Sequence, residues 1–254
     1  MGFERLSPGT VEWEAYYANH LFRYQFALNN LKEDRKIKIL DAACGVGFGS
    51  HFLAVNGIKE ITGIDRNEEA LKLANEKFFH KAISYIQDDC HTLSKASEFG
   101  LYDAIVSMET LEHMPQPDAF IKSCYSSLEK GGLLIVSTPN AAITSPDGEI
   151  NWEFHEKEYT ADELVKILSD HGFQNIRLFG QGYSAIGKLR DQIRSELNII
   201  NSNPFARLGR FIQKLLKGYT SKAVLPEQIE DFEISLPGDF IAKKPFVLIA
   251  VCNK

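Results

Sequence analysis

Cysteine is sparse in this chain of 254 residues: Cys44, Cys90, Cys124 and Cys252 are widely scattered, and no two form a Cys-x-x-Cys pair. That usage points to reduced, mostly buried thiols and away from a disulfide framework. No apolar run reaches the ~18–20 residues that cross a bilayer, and no basic-then-apolar leader opens the chain. A cytoplasmic location is the expectation. Excess positive charge is missing too: the net charge is −6, which gives no global reason to expect nucleic acid. Internal repeats and low-complexity tracts are absent. The length suits a single domain over residues 1–254.

Against that background one stretch stands out. Ile39-Leu40-Asp41-Ala42-Ala43-Cys44-Gly45-Val46-Gly47-Phe48-Gly49 is answered by Thr62-Gly63-Ile64-Asp65. A glycine-rich turn after a short apolar strand, with an acid closing the next strand, suits a nucleoside-bearing cofactor. A dinucleotide fold wants Gly-x-Gly-x-x-Gly, whose amides and helix N-terminus cradle a pyrophosphate. Here the spacing is Gly45-x-Gly47-x-Gly49, and Ser50 stands where the third glycine would fall. Asp41 beside the turn would repel a pyrophosphate but suits a cation, such as the ammonium end of S-adenosylmethionine. Asp65 is an acceptor-only carboxylate that can take both ribose hydroxyls. A methyl donor fits these residues better than NAD does.

Strand and helix signals alternate along the chain. Strands are expected at 36–40, 60–64, 83–87, 102–107, 133–137, 173–179 and 246–252. Helices are expected at about 47–56, at 67–79 with Asn67 as N-cap, at 117–128 with a stop at Lys130-Gly131-Gly132, and at 161–170. Trp13 through Phe26 reads as an aromatic amphipathic helix lying over the cofactor domain. The fold class is therefore α/β: a Rossmann-like, doubly wound, mostly parallel seven-stranded sheet. Its parts are a helical cap (1–35), a cofactor-binding core (36–183), a basic helical insert or lid (184–222) and C-terminal strands (223–254).

The insert breaks the rhythm. Eight basic residues (Lys188, Arg190, Arg194, Arg207, Arg210, Lys214, Lys217, Lys222) face two acids, Asp191 and Glu196, a local charge of +6. Leu208, Phe211, Ile212, Leu215 and Leu216 make an amphipathic stripe. A solvated helical lid is the first reading. A cap whose arginines hold an anionic or phosphorylated substrate is the second, and a membrane-surface helix the third.

Five blocks together resemble the class I S-adenosylmethionine-dependent methyltransferases, over about residues 36–180 and the last strand. They are Leu40–Gly47; Gly63-Ile64-Asp65; Ile86-Gln87-Asp88-Asp89-Cys90; Tyr102–His113; and Leu128–Asn140. The resemblance implies S-adenosylmethionine as cofactor. It implies Asp41, Ala43, Gly45 and Gly47 around the methionine part, Asp65 on the ribose, and Arg66 along the adenine face. Asp88, where the family often has glycine, leaves the adenine contact open between Asp88 and Asp89, next to Cys90. Met108 is expected near the sulfonium, and Arg23 is assigned to the cofactor as well.

Methyl transfer to a hydroxyl needs a base, and histidine suits that work near neutral pH. His113, after the fourth strand, and His155, in the loop after the fifth, are the two candidates by position. Glu109-x-x-Glu112-His113, with His155, also resembles a metal-ligand pattern of some family members, which would hold Mg²⁺ or a similar ion. Ser107-Met108-Glu109-Thr110 stands where base N-methylating enzymes resemble one another in a Pro-Pro-Tyr-type motif, which argues against a nucleic-acid base as acceptor. His20-x-x-Arg23-Tyr24, Thr138-Pro139-Asn140 and the Phe154-His155 loop look like methyltransferases of bacterial sugar and surface-polysaccharide pathways. The expected reaction is methyl transfer to a small-molecule hydroxyl of a sugar, nucleotide-sugar or glycan precursor. The alternatives are a quinone-precursor O-methyltransferase and a non-catalytic cofactor-binding partner subunit.

Overall fold

The computed structural model describes residues 6–31, 37–150, 152–202 and 227–254. The described α-helices are α1 (Val11–Asn30), α2 (Phe48–Val55), α3 (Glu68–Lys77), α4 (Pro117–Ser127), α5 (Ala141–Thr144), α6 (Ala161–Asp170), α7 (Ala185–Ser202) and α8 (Phe240–Lys243). The strands are β1 (Lys38–Ala42), β2 (Glu60–Asp65), β3 (Ile83–Gln87), β4 (Tyr102–Met108), β5 (Leu128–Pro139), β6 (Gln174–Tyr183), β7 (Phe232–Ser235) and β8 (Val247–Asn253). They form one sheet in the order β3-β2-β1-β4-β5-β8-β6-β7.

Seven of these strands answer the expected ones; the eighth is a correction. β7 pairs antiparallel with β6 at the sheet edge, and its four residues are too few to show a period in the sequence. β8 enters antiparallel between β5 and β6, so the sheet is mixed. Local signals set the helix starts as expected. The Asn67 side chain accepts from Ala70 N to cap α3, and Thr160 with Glu163 forms a capping box on α6.

Both sheet faces are apolar, as central parallel strands require. Leu40, Ile105, Leu134, Val136 and Leu248 belong to the core shared with α4 and α6. Ile39, Val106, Ile135 and Ile249 belong to the core under α1 and α2. The period of two along a strand therefore turns Asp41 to the same side as Ile39, beneath α1 and α2. β1 and β4, adjacent and parallel, both end at the edge where the cavity opens. Of the basic insert, α7 lies within the described residues, and Arg190 Nε sits 3.3 Å from the buried Asp231 carboxylate. The stripe Leu208–Leu216, with Arg207, Arg210, Lys214, Lys217 and Lys222, lies outside the described residues. Among the described residues no helix is long and apolar enough to cross a membrane.

Candidate functional site

A cavity of about 540 Å³ opens at the carboxyl ends of β1–β5, within the ~300–1,000 Å³ range of small-molecule sites. Switch points of parallel sheets are where such sites form. Its first half is built by Ala43–Val46 after β1, Asp65 and Arg66 at the end of β2, and Asp89–His91 after β3. Its second half is built by Met108 at the end of β4, Glu109, Thr110 and Glu112–Met114 after it, the 152–155 loop, Phe246 and Val247, and the inner face of α1.

The turn after β1 is held by Cys44 N, which donates to Ile64 O at 2.7 Å. Ala43 and Glu109, at the ends of the adjacent β1 and β4, take φ of 62° and 52°. Non-glycine residues rarely adopt such values, and they gather where a site over-determines the backbone. Gly49 is required for a different reason. A Cβ there would lie 1.9 Å from Cζ of Tyr24, so this glycine serves the packing of α1 on α2 and not a phosphate.

Three expected cofactor residues do not border the cavity. Asp41 is fully buried and accepts hydrogen bonds from Tyr24 Oη (3.1 Å) and Ser50 Oγ (2.5 Å). Burial raises its pKa to about 6, against the lowering effect of those two bonds. Gly47 is covered by Tyr85, whose hydroxyl donates to its carbonyl at 3.0 Å. Asp88 turns inward and accepts from Lys95 N, Ala96 N, Ser94 Oγ and Asp89 N, which makes it a cap for the 94–96 turn. Asp89 alone of the pair borders the cavity. Hydrogen bonds from His91 hold its carboxyl below the usual range.

Arg23, Ala43, Gly45, Asp65, Arg66, Cys90 and Met108 all border the cavity. Asp65 accepts from Gly45 N at 3.0 Å and from Asn67 N at 2.8 Å. An ionised carboxylate is acceptor-only, which is the chemistry a ribose diol calls for. Arg23 is 2% exposed, ion-paired to Glu109 at 3.1 Å and bonded to Asn19, yet its Nε has no partner. These features fit the cofactor implied by the motifs: an acid for a ribose, an acid for an adenine amine, and a buried guanidinium with a spare donor.

In the second half, His113 Nδ1 lies 2.8 Å from Phe154 O, and His155 Nδ1 lies 2.8 Å from Glu158 Oε1. A carbonyl and an ionised carboxylate can only accept, so in each ring Nδ1 carries a proton, and the neutral form of the ring has its lone pair on Nε2. Burial opposes the Glu158 charge, but bonds from Thr144, His155 and Ser145 keep its carboxyl below the usual range. The two imidazole rings meet edge to face at 4.9 Å.

The four-residue magnesium set is not assembled. Glu112, His113 and His155 place ligand atoms within 4.8 Å of one another. Glu109 is taken instead by Arg23 and by Ser137 Oγ at 2.7 Å. One carboxylate with two imidazoles is a poor donor set for Mg²⁺, which prefers oxygen. Burial, then the Glu109 charge, pushes Glu112 well above the carboxylate range, and its Oε2 has no partner.

Sequence reasoning missed Asn19, Trp152 and Glu158, and gave His20 and Tyr24 no role beyond their place in a motif. Tyr16, Asn19, His20, Arg23 and Tyr24 all border the cavity, and their spacing of i, i+3, i+4, i+7, i+8 is the signal that one face of α1 roofs it. Burial, then the Arg23 charge, holds the His20 imidazole well below its usual pKa.

The fold is Rossmann-like, of the class that methyltransferases share. The family model described as "Methyltransferase domain" matches residues 14–178, and the chain belongs to that family, whose cofactor is S-adenosylmethionine. It is 31% identical over 144 residues to a "Probable S-adenosylmethionine-dependent methyltransferase" of Mycobacterium tuberculosis, covering 56% of this chain and 50% of that one. The chain thus matches half the length of that curated relative. It is also 31% identical over 176 residues to a "Ubiquinone biosynthesis O-methyltransferase" of Colwellia psychrerythraea, covering 62% of this chain and 70% of that one. Its fold resembles the crystal structure of a Thermotoga maritima S-adenosylmethionine-dependent methyltransferase, titled "possible histamine N-methyltransferase". The TM-score is 0.58 at 14% identity, covering 96% of this chain and 91% of that one.

Proposed function

We propose that this protein transfers a methyl group from S-adenosylmethionine to a hydroxyl of a small molecule. The observation that carries the reading is the pair of imidazoles, His113 and His155, whose rings meet at 4.9 Å and share one cavity with Asp65 and Asp89. The cofactor supplies an already activated methyl on its sulfonium. Asp65 takes the ribose, Asp89 the adenine amine, and Arg23 the carboxylate of the methionine part. His155, oriented by Glu158, removes the hydroxyl proton as the oxygen is alkylated, and His113 borders the same point. The 152–155 loop and α1 exclude water from the reacting atoms.

The names of relatives such as the Colwellia protein support O-methylation and favour a quinone precursor as acceptor over a sugar. A methyl-release assay across quinone precursors, sugars and nucleotide-sugars tests the reading, together with calorimetric titration of S-adenosylmethionine. Turnover of one hydroxyl-bearing class supports it. Absence of S-adenosylmethionine binding up to millimolar concentrations would sink it.

A further inference from the structure

We propose that Trp152 is the platform on which the acceptor lies, and that the acceptor presents an uncharged ring to it. This rests on the hydroxyl-methylation reading above and adds the chemical class of the acceptor. Trp152 borders the cavity yet is 64% exposed, leaving a large apolar face for a ligand to cover. Its indole stands at 26° to the His155 imidazole with centroids 6.0 Å apart, so a ring that covers it comes within reach of the base.

The platform is held in advance. Glu112 O accepts from Glu156 N and Lys157 N, Trp152 O accepts from His155 N at 3.1 Å, and His113 Nδ1 donates to Phe154 O. Three of these hydrogen bonds pin the loop to the segment after β4 and the fourth closes a turn within it, so less ordering remains to oppose binding.

Charge decides what kind of ring fits. Among the described residues, the formally charged side chains bordering this half are Arg23, Glu109 and Glu112, beside the imidazoles of His20, His113 and His155. Arg23 is paired with Glu109 and its one spare donor, Nε, is the one assigned to the cofactor's carboxylate, so among the described residues this half keeps no cation for a phosphate of the acceptor. Met114, Phe154, Phe246 and Val247 complete an apolar surround. An anion would lose its hydration there without a partner. A phenol and a pyranose share the chemistry that does fit, a flat apolar face with a hydroxyl at its rim.

The test first measures S-adenosylhomocysteine binding to the wild type, Trp152→Ala and Trp152→Phe. Each loaded protein is then titrated with 4-methylcatechol, methyl β-D-glucopyranoside and uridine diphosphate, by calorimetry and tryptophan fluorescence. One uncharged ring is expected to bind. Trp152→Ala should weaken it about tenfold, while Trp152→Phe stays within about threefold. S-adenosylhomocysteine affinity should be the same in all three proteins, which shows that the variants fold. The ring that binds tells a phenolic acceptor from a sugar. Binding of uridine diphosphate alone, binding of neither ring, or ring binding indifferent to Trp152→Ala would each overturn the proposal. Loss of S-adenosylhomocysteine binding by the wild type would instead strike the methyltransferase reading.

Discussion

The amide of Gln181 donates to both oxygens of Asn19, to the carbonyl at 3.1 Å and to the side chain at 2.8 Å. The same two oxygens receive Nη1 of Arg23 at 3.0 and 3.2 Å. A fully buried residue of β6 thus sets the aim of a guanidinium on α1, whose other arm meets Glu109. If Arg23 holds the cofactor's carboxylate, Gln181→Leu should weaken S-adenosylhomocysteine about tenfold, a typical loss for hydrogen bonds around a charged group. It should leave 5′-methylthioadenosine, which lacks that carboxylate, within about twofold. Calorimetry with both ligands is the check. Equal weakening of the two would make Gln181 a general support and nothing more.

Tyr24 occupies the space a side chain at Gly49 would need, and its hydroxyl bonds Asp41 below. Gly49→Ala should cost about 3 kcal/mol, the upper end for overpacking a filled interior. Tyr24→Ala in the Gly49→Ala background should recover part of that cost. Urea denaturation of the two single variants and the double variant measures the coupling. Strictly additive losses would mean that the glycine serves some other contact.

Much of the cofactor half was legible because its residues are contiguous runs at strand ends: 43–46, 65–66, 89–90 and 108. The errors there are errors of direction. Asp41 shares its face with Ile39, so strand alternation sends it under α1, whatever its closeness to the turn in sequence. Asp88 and Asp89 are neighbours with opposite fates for the same reason, one turned to the backbone of 94–96 and one to the cavity. The acceptor half was less legible because it joins residues far apart in the chain. Asn19, Glu109, Trp152 and Phe246 meet only once β8 has entered between β5 and β6. Glu109 shows the consequence: its sequence spacing suits a ligand, but Arg23, 86 positions earlier, takes its carboxylate.

Asp41 gives the fold a pH dependence of definite sign. Its folded pKa of about 6 stands above the ordinary 3.8, so between those values the folded state holds the proton more tightly than the unfolded chain. Its contribution to stability is full below about pH 4 and is lost as pH rises through about 6. Asp41→Asn keeps the size and removes the titration. Relative to the wild type, the variant should gain on the order of 3 kcal/mol between pH 4 and pH 7. Urea melts of both proteins across that range show the gain, and parallel stability curves would contradict it.

The two neighbouring aspartates should separate cleanly. Asp88→Asn leaves the amides of Lys95 and Ala96 with a weaker acceptor and should cost about 1–3 kcal/mol of stability. Cofactor affinity should change little. Asp89→Ala, exposed and bordering the cavity, should leave stability nearly unchanged and weaken S-adenosylhomocysteine. A loss of affinity in the first variant and none in the second would return the adenine contact to Asp88.

The bond between His155 Nδ1 and Glu158 predicts a graded pair of kinetic effects. His155→Gln removes the base and should slow methyl transfer about 10²–10⁴-fold, with S-adenosylhomocysteine affinity intact. Glu158→Gln keeps the size but no longer fixes the tautomer through a charged acceptor, so the loss should be smaller, about tenfold. Single-turnover rates and ligand titrations separate chemistry from binding in both variants. An unimpaired rate in His155→Gln, with a large loss in His113→Gln, would move the base to the other imidazole of the pair. A large loss in Glu158→Gln with none in His155→Gln would leave the carboxylate acting on the loop, and not through the ring.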